Sequence, residues 1–146
     1  MADLRTALRT YLVTDPALSA ILTGGIFDAQ TTDAEGESTE WLPRAANGVT
    51  LAPFAVLHFR GTTEKEIVSN SRRRFVEIYL YQSAGYTAIE QAKRRIETLL
   101  HRHQLQADDA GIAMFHWAMD RGELPAPEYQ NAASDMSRYY VDYIRK

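Results

Sequence analysis

Residues 71–103 read SRRRFVEIYLYQSAGYTAIEQAKRRIETLLHRH, and the hydrophobic pattern of this stretch changes its period once. Val76, Ile78 and Leu80 alternate with polar or aromatic residues, which is the period of two of a half-buried strand. After the break at residues 83–85, apolar residues recur at the spacing of a helix with one buried face. These residues are Ile89, Ala92, Ile96, Leu99 and Leu100. The stretch therefore predicts a strand that leads into an amphipathic helix, with the rest of the chain packed on this unit.

The length and composition favour a single soluble domain. The chain has 146 residues, of which 45% are hydrophobic. A chain of this size buries a sufficient core without disulfides or a structural metal. It contains no cysteine, which excludes disulfides, thiolate chemistry and cysteine-based zinc sites. It begins with an amphipathic pattern rather than a signal peptide, and no run approaches the ~18 apolar residues of a membrane span. We therefore expect one domain over residues 1–146 that is soluble, cytoplasmic and not in a membrane.

The charges are unevenly distributed along the chain, whose formal net charge is −3. Residues 1–59 hold three Arg and seven acidic residues, and residues 105–146 hold four basic and seven acidic residues. Residues 60–104 between them hold nine basic and five acidic residues. A basic middle between acidic ends would let one copy attract the next, because opposite patches steer association. The alternative is an ordinary mixed surface that keeps the protein soluble.

Further helices and strands flank the central unit. The pattern predicts helices that begin after Asp3 and after Asp15, each with Asp as its N-cap. It predicts strands over residues 26–29, 53–60, 112–120 and 136–145, and loops over residues 61–70, 104–111 and 121–133. This order predicts an α+β fold in which a mainly antiparallel sheet has helices packed on one face. Two of the strands are apolar on both faces, so another copy is a candidate cover for the second face.

Residues 30–52 form a long loop without hydrophobic periodicity. Its acidic residues, before the first basic one, are Asp33, Glu35, Glu37 and Glu40. A loop of this length inside a compact domain is uncommon and is usually functional or disordered. Trp41 and Leu42 on an exposed loop are typical anchors for a partner. The alternative is that Trp41 folds back and covers the domain's own core.

The sequence carries no motif of a known reaction class. It has no phosphate-binding GxxxxGK[ST] or GxGxxG loop and no Ser in GxSxG. His58 and His116 lie in different predicted strands, and His101 and His103 lie two residues apart, where they point to different sides. The stretch DAEGESTE lacks the glycine position and the final Glu of an EF-hand. We therefore expect no catalytic residue, no metal, no cofactor and no enzyme activity; the alternative is an unmarked site between the sheet and the long loop.

Two basic clusters lie in the middle of the chain. Arg72, Arg73 and Arg74 open the central strand, and residues 93–95 lie on the helix that follows. Such clusters can contact a nucleic-acid backbone, but the chain is net acidic and no stacking aromatic residues interleave with the arginines. On the helix, acidic residues one turn away predict ordinary surface pairs. For the arginine triplet we expect salt bridges to an acidic patch on a neighbouring copy.

Three segments carry a resemblance to a known family. They are LRTALRTYLVTDPALSAILTGGIFDA at the start, PFAVLHF after the long loop, and RFVEIYLYQSAGYTAIEQAKRRIETLLH before the closing strands. Over nearly its whole length the chain resembles the tail-terminator (tail-completion) proteins of long-tailed bacteriophages and related prophages. The resemblance implies a small α+β subunit of a hexameric ring that caps the tail tube and ends its polymerisation. It also implies partners on both sides, the tail-tube protein and a head-completion (neck) protein, with DNA passing non-specifically through the ring.

The resemblance implies a place in the virion, at the junction of tail and head, after assembly in the host cytoplasm. A closed ring needs two different complementary patches on each subunit, and the uneven charge offers them. Candidate interface residues are Arg72, Arg73, Arg74, Tyr79, Tyr81, Trp41 and Leu42. Candidate residues that face the lumen or a partner are Asp33, Glu35 and Glu37. The alternatives are a head-closure (neck) protein, a tail-tube subunit and a nucleic-acid-binding domain.

Replacing Trp41 by Ala separates the two interpretations of the long loop. If Trp41 anchors a partner, we expect weaker docking on the partner and an unchanged melting temperature, because the side chain then contributes nothing to the core. Thermal unfolding by circular dichroism, combined with cosedimentation with tail tubes, measures both effects. A loss of several degrees in melting temperature would instead identify Trp41 as a core residue.

Overall fold

The elements follow the order ααβββαββββ in the residues that the computed structural model describes, which are 3–28, 51–64, 71–108, 111–126 and 132–144. The helices are α1 (Leu4–Val13), α2 (Pro16–Ile21) and α3 (Thr87–Leu100). The strands are β1 (Gly25–Asp28), β2 (Phe54–Glu64), β3 (Ser71–Gln82), β4 (Gln104–Ala107), β5 (Gly111–Asp120), β6 (Leu124–Ala126) and β7 (Ala132–Ile144). The predicted unit of strand and helix is therefore β3 followed by α3.

The seven described strands belong to one sheet. Its order is β1-β2-β3-β7-β5-β4, and β6 also pairs with β7. β1 is parallel to β2, whereas the other pairs are antiparallel. β3 and β7 pair over twelve residues, from Ser71 opposite Ile144 to Gln82 opposite Ala133. The fold is thus α+β with a mainly antiparallel sheet, in which β3 and β7 form the centre.

The structure corrects three predicted loops. Residues 104–111 are predicted as a loop but contain β4, which has only one large apolar residue, Leu105, and so shows no alternating pattern. Residues 121–133 contain β6 and the start of β7. Pro125 lies within β6, and it is tolerated because β6 pairs with β7 alone among the described strands. β2 continues to Glu64, so the connection between β2 and β3 is shorter than predicted.

The helices begin at caps that satisfy their first backbone N–H groups. As predicted, Asp3 and Asp15 are the N-caps of α1 and α2, and each carboxylate accepts a hydrogen bond from the backbone N–H three residues later. For α3, the Oε1 atom of Gln82 at the end of β3 accepts the N–H groups of Ala88 and Ile89, at 3.1 and 3.2 Å. Within the described ranges, no helix has the length and apolar character needed to cross a membrane.

The main hydrophobic core lies between the helices and one face of the sheet. Val76, Ile78 and Leu80 of β3 are fully buried there, as the alternating pattern predicts. The helices contribute Leu4, Leu8, Leu12, Leu18, Ile89, Ala92, Ile96 and Leu100. β1 and β4 are the first and last strands in the order of the sheet, and α1 contacts both of them. The sheet is therefore curled around this helix. Each large side chain buried in this core contributes about 1.5–3 kcal/mol to stability.

The opposite face of the sheet carries a smaller apolar cluster at one end. Its members are Leu51, Phe54, Val56, Tyr81, Ala126 and Ala132. Leu51 precedes β2 and Ala126 belongs to β6, so the chain itself covers part of the face for which we considered another copy. Tyr81 stacks on Phe54 with 5.0 Å between ring centroids and is only 5% exposed. This burial leaves Tyr81 little surface for a neighbour.

A buried ion pair ties α3 to β7. The Nζ atom of Lys93 lies 2.7 Å from Oδ2 of Asp135 and 3.0 Å from Oε1 of Glu90. Asp135 is fully buried, and its Oδ1 atom accepts the backbone N–H groups of Gly122 and Met136. Burial by itself lowers the pKa of Lys93, but the hydrogen bonds to Asp135 and Glu90 outweigh it, so the pKa is raised. Lys93 therefore keeps one pair along α3, with Glu90, and adds a buried contact with the sheet that the sequence did not predict.

Replacing Asp135 by Ala should strongly destabilise the fold. We expect the free energy of unfolding to fall by about 3 kcal/mol, because Lys93 loses its buried partner and keeps only the more exposed carboxylate of Glu90 nearby. It also removes the acceptor of two backbone N–H groups. Urea unfolding followed by circular dichroism measures the loss. The control, Glu123→Gln at an exposed position, should change the value by about 0.5 kcal/mol or less; equal losses in the two variants would contradict the assigned role of Asp135.

Candidate interaction surface on the outer face of the sheet

The face of the sheet opposite the helices is called the outer face here. It is formed by the side chains that alternate with the buried apolar residues of the long strands. Across β2, β3, β7 and β5 it includes Val56, His58, Arg73, Phe75, Glu77, Tyr79, Met136, Arg138, Tyr140, Asp142, Met114 and His116. Aromatic, arginine and methionine side chains predominate in this set. The outer face therefore differs sharply in composition from the aliphatic core on the other side.

A buried carboxylate, that of Glu77, lies at the centre of the outer face. Glu77 is 4% exposed and is directly opposite Arg138 in the pairing of β3 with β7. Its Oε2 atom accepts hydrogen bonds from Nη2 and Nε of Arg138 at 2.6 and 3.1 Å. Its Oε1 atom accepts hydrogen bonds from Nε of Arg60 and from the hydroxyl of Tyr79. Burial alone would raise the pKa of Glu77, but Arg138 and Arg60 outweigh it and lower the pKa.

The Arg60–Glu77–Arg138 cluster has a surplus of one positive charge, because two guanidinium groups share one carboxylate. The side chain of Arg60 is 50% exposed and that of Arg138 is 38% exposed, whereas the side chain of Glu77 between them is 5% exposed. Arg60 also donates a hydrogen bond to the hydroxyl of Tyr79, at 3.3 Å. An arginine has five N–H donors in a rigid fork, so each guanidinium retains donors beyond those that hold it in place. The cluster is a preformed cationic site on an otherwise half-buried surface.

A second polar group lies beside this cluster. Arg73 makes a bidentate ion pair with Asp142, with distances of 2.9 and 3.2 Å. The guanidinium of Arg73 also lies 4.2 Å from the ring centroid of Tyr140, and this ring stacks on His116 at 4.8 Å. Burial lowers the pKa of His116, so burial favours the neutral imidazole. The group combines a neutralised ion pair with stacked rings, and the positive character of the outer face comes mainly from the neighbouring cluster.

The predicted interface residues are divided among several environments. Arg73 and Tyr79 lie on the outer face, whereas Arg74 lies over the ring of Phe59, 4.7 Å from its centroid. The alternation along β3 places Arg72 on the same side as Arg74, towards the helices. Tyr81 lies in the chain's own apolar cluster. Trp41, Leu42, Asp33, Glu35 and Glu37 lie outside the described residues.

Sequence reasoning missed the Arg60–Glu77–Arg138 cluster. Glu77 was recognised only as one of the residues that alternate with the core residues of β3. The pairing of Arg60 and Arg138 with Glu77 was not predicted, because these arginines lie 17 and 61 residues from Glu77 along the chain. The available signal was a charged residue in the middle of each of two apolar strands. It becomes informative only when the register places opposite charges side by side.

The histidines pack against other groups of the chain, and the rings of His101 and His116 also meet edge-on, with 6.1 Å between their centroids. His58 is edge-on to Tyr79, with 4.8 Å between ring centroids, and burial lowers its pKa. His101 accepts a hydrogen bond on Nδ1 from the backbone N–H of Trp117, whereas His103 stacks on Tyr11. His101 and His103 therefore point to different surroundings, as predicted. Among the described residues, no three His, Asp or Glu side chains are placed to hold a metal ion.

One open cavity of about 380 Å³ lies beside α1 and β1. It is lined by Thr6, Arg9, Thr10, Phe27 and Asp28. Arg9 donates a hydrogen bond to the carbonyl oxygen of Ile26, and Arg5 holds Asp28 at 2.7 Å. The charged groups of the cavity therefore anchor α1 to β1. They do not form the converging acid and base that catalysis requires.

Replacing Glu77 by Gln should destabilise the fold in a way that depends on pH. At pH 7 we expect a loss of about 2 kcal/mol in the free energy of unfolding, because two partly exposed guanidinium groups lose the carboxylate that accepts their hydrogen bonds. The pKa of Glu77 is lowered from 4.5 in the folded chain, so its contribution is complete above that value and is lost as the pH falls through the folded pKa. The difference between the wild type and the variant should therefore shrink in acid.

Urea unfolding from pH 7 down to pH 3 tests this dependence. The control is Glu97→Gln, an exposed change on α3, for which we expect about 0.5 kcal/mol or less at every pH. A difference between Glu77→Gln and the wild type that stays constant over the whole range would contradict the assigned ionic role of Glu77.

Comparison with known proteins identifies a solved structure with the same fold. The sequence matches no known family model and no curated protein. Among solved structures, it is similar to a chain of the structure described as the virion of a native gene transfer agent (GTA) particle. The TM-score is 0.70, and the match covers 97% of this chain and 95% of that chain with 12% sequence identity. The protein thus shares its fold, over nearly its whole length, with a component of that virion.

Proposed function

We propose that the protein is a structural subunit of a phage-type virion that forms a ring at the end of the tail tube. The ring ends the polymerisation of the tube and joins it to head-side neck proteins, with DNA passing through its centre. The observation that carries the proposal is the likeness of fold, over nearly the whole of both chains, to a chain of the GTA virion. The resemblance of the sequence to tail-terminator proteins supplies the more specific role within such a particle.

The interactions of the described residues support a structural role over an enzymatic one. The buried carboxylates of Glu77 and Asp135 are held by basic residues on neighbouring elements, where they connect strands and helices. His58 and His116 are packed against tyrosine rings rather than paired with an acid in a cleft. Groups with these contacts hold a scaffold together, and a scaffold with a distinctive outer face is suited to assembly with other subunits.

The ring model requires two different contact surfaces on each subunit. A contact that closes by rotation is heterologous, so the patch on one copy must fit a different patch on the next. The proposed interface residues are Arg72, Arg73, Arg74, Tyr79, Trp41 and Leu42. Tyr81 is left out of the proposed contact because it is only 5% exposed. Asp33, Glu35 and Glu37 are proposed to face the lumen or a partner, where negative charge would prevent strong attraction to passing DNA.

A head-closure protein or a tail-tube subunit is the second candidate. The likeness to a chain of the GTA virion favours any subunit of such a particle, so it supports this candidate as well. The two candidates differ in how far the subunits assemble. A tube subunit polymerises into long cylinders, whereas a terminator stops at one ring.

Electron microscopy of the purified protein, with and without tail tubes, tests the proposal. We expect discrete rings with a central hole, and rings at one end of the tubes when both are mixed. Light scattering should give a mass near six times the 16.5 kDa of one chain. Long cylinders would indicate a tube subunit. A protein that neither forms rings nor binds the tube ends would contradict the proposal.

A further inference from the structure

The outer face is covered by the chain itself at one end and is more open around Glu77. At the covered end, Leu51 and Ala126 pack over Phe54 and Tyr81. Around Glu77, by contrast, the side chains of Arg60, Arg138 and Met119 are all more than a third exposed. Arginine, tyrosine and methionine are enriched at the centres of protein interfaces. This part of the outer face therefore has the composition of a contact surface.

The Arg60–Glu77–Arg138 cluster is organised to bind an anion. The buried carboxylate of Glu77 holds both guanidinium groups in place. Because these side chains are already ordered, they lose little conformational entropy when a ligand binds. Among the described residues, Glu77 is the one carboxylate bonded to the cluster, so a surplus of one positive charge remains there. Guanidinium groups pair with carboxylates through two parallel hydrogen bonds, which adds direction to the attraction.

A protein carboxylate fits this surface better than a nucleic acid does. Phosphates laid across the outer face would approach the carboxylates of Glu77 and Asp142 as well as the arginines. The ring of Tyr140 is already engaged by His116 and Arg73, so it does not offer a free platform for a base. The whole chain also carries a net charge of −3, which opposes association with DNA.

The sequence of the chain itself contains a suitable acidic partner. Residues 33–40 read DAEGESTE, with four carboxylates and no basic residue, and Trp41 and Leu42 follow directly. This acidic segment and the cationic cluster are different patches, so a contact between them is head-to-tail and repeats around a closed ring. Complementary charges of this kind steer the approach of subunits and fix their register.

We infer that the Arg60–Glu77–Arg138 cluster binds the acidic segment 33–40 of a second copy of the chain. This inference rests on the proposed function, because it assigns the contact by which the ring subunits associate. The carboxylates of one copy pair with the guanidinium groups of the next, and the apolar residues that follow the segment add buried contact area.

Two variants test the two sides of the contact. The face variant, Arg60→Met with Glu77→Leu and Arg138→Met, removes the whole cluster at once. No unpaired charge is left on the buried Glu77 position, and a complete exchange of this kind often preserves the fold. The segment variant, Glu35→Lys with Glu37→Lys and Glu40→Lys, changes none of the described residues. The matched control is Arg94→Met on the exposed side of α3, which alters the net charge by the same one unit as the face variant.

Sedimentation equilibrium and native mass spectrometry measure self-association of the full chain. We expect the dissociation constant to rise by about 100-fold or more in the face variant and in the segment variant. The control should stay within about twofold of the wild type, because a single exposed charge contributes little. An equimolar mixture of the face and segment variants should form heterodimers, since such a pair retains one intact cluster and one intact segment. Each variant alone should remain monomeric at the concentration at which the mixture forms heterodimers.

Several results would overturn the inference. Wild-type association in the face variant, or no heterodimer in the mixture, excludes the assigned contact. Loss of binding to a short DNA duplex in the face variant, with association unchanged, identifies a nucleic-acid surface instead.

If the wild type forms rings and both variants do so equally well, only this inference fails. If the wild type remains a monomer at every concentration and binds no tube end, the proposed function fails with it. If circular dichroism shows that the face variant is unfolded, the segment variant is mixed with the wild type instead. The segment variant keeps its cluster but has lost its acidic segment, so we expect it to enter wild-type assemblies and to prevent ring closure. Unchanged wild-type rings in this mixture would contradict the inference.

Discussion

The pairing of β3 with β7 is the constraint on which the rest of the structure depends. These strands lie side by side over twelve residues at the centre of the sheet. Their register sends Val76, Ile78 and Leu80 towards the helices and sets Glu77 opposite Arg138 on the other face. A slip of one residue would exchange the two faces and expose the core residues to water. One register therefore determines both the main core and the outer face.

Buried ion pairs reinforce this arrangement at two levels. Glu77 joins β3 to β7 through Arg138 and to β2 through Arg60, all on the outer face. Asp135 joins β7 to α3 through Lys93 on the opposite side of the sheet. Removing Glu77 or Asp135 is costly because each buried carboxylate accepts several hydrogen bonds at once from neighbouring elements. These contacts thus penalise alternative registers and fix how α3 lies on the sheet.

The proposed assembly follows from the difference between the two faces. The helix side is closed by aliphatic packing, whereas the outer face presents ordered guanidinium groups and half-buried aromatic rings. A surface with a fixed surplus of charge attracts a complementary segment before contact and holds it in one orientation afterwards. In the proposed assembly, the surface of one subunit binds the acidic segment of the next, so the contact is head-to-tail.

The sequence by itself determined the local features of this protein. The change of period in residues 71–103 predicted β3 and α3, and Asp3 and Asp15 predicted the starts of α1 and α2, because these signals arise from residues close together in the chain. β4 and β6 went undetected because their pairing relies on backbone hydrogen bonds to distant strands rather than on a pattern of side chains. Only the tertiary structure decided that Arg60 and Arg138 share the carboxylate of Glu77, since register brings together residues that lie far apart along the chain. Charge and burial at such a site depend on the neighbours supplied by other strands, and a single strand's sequence does not contain them.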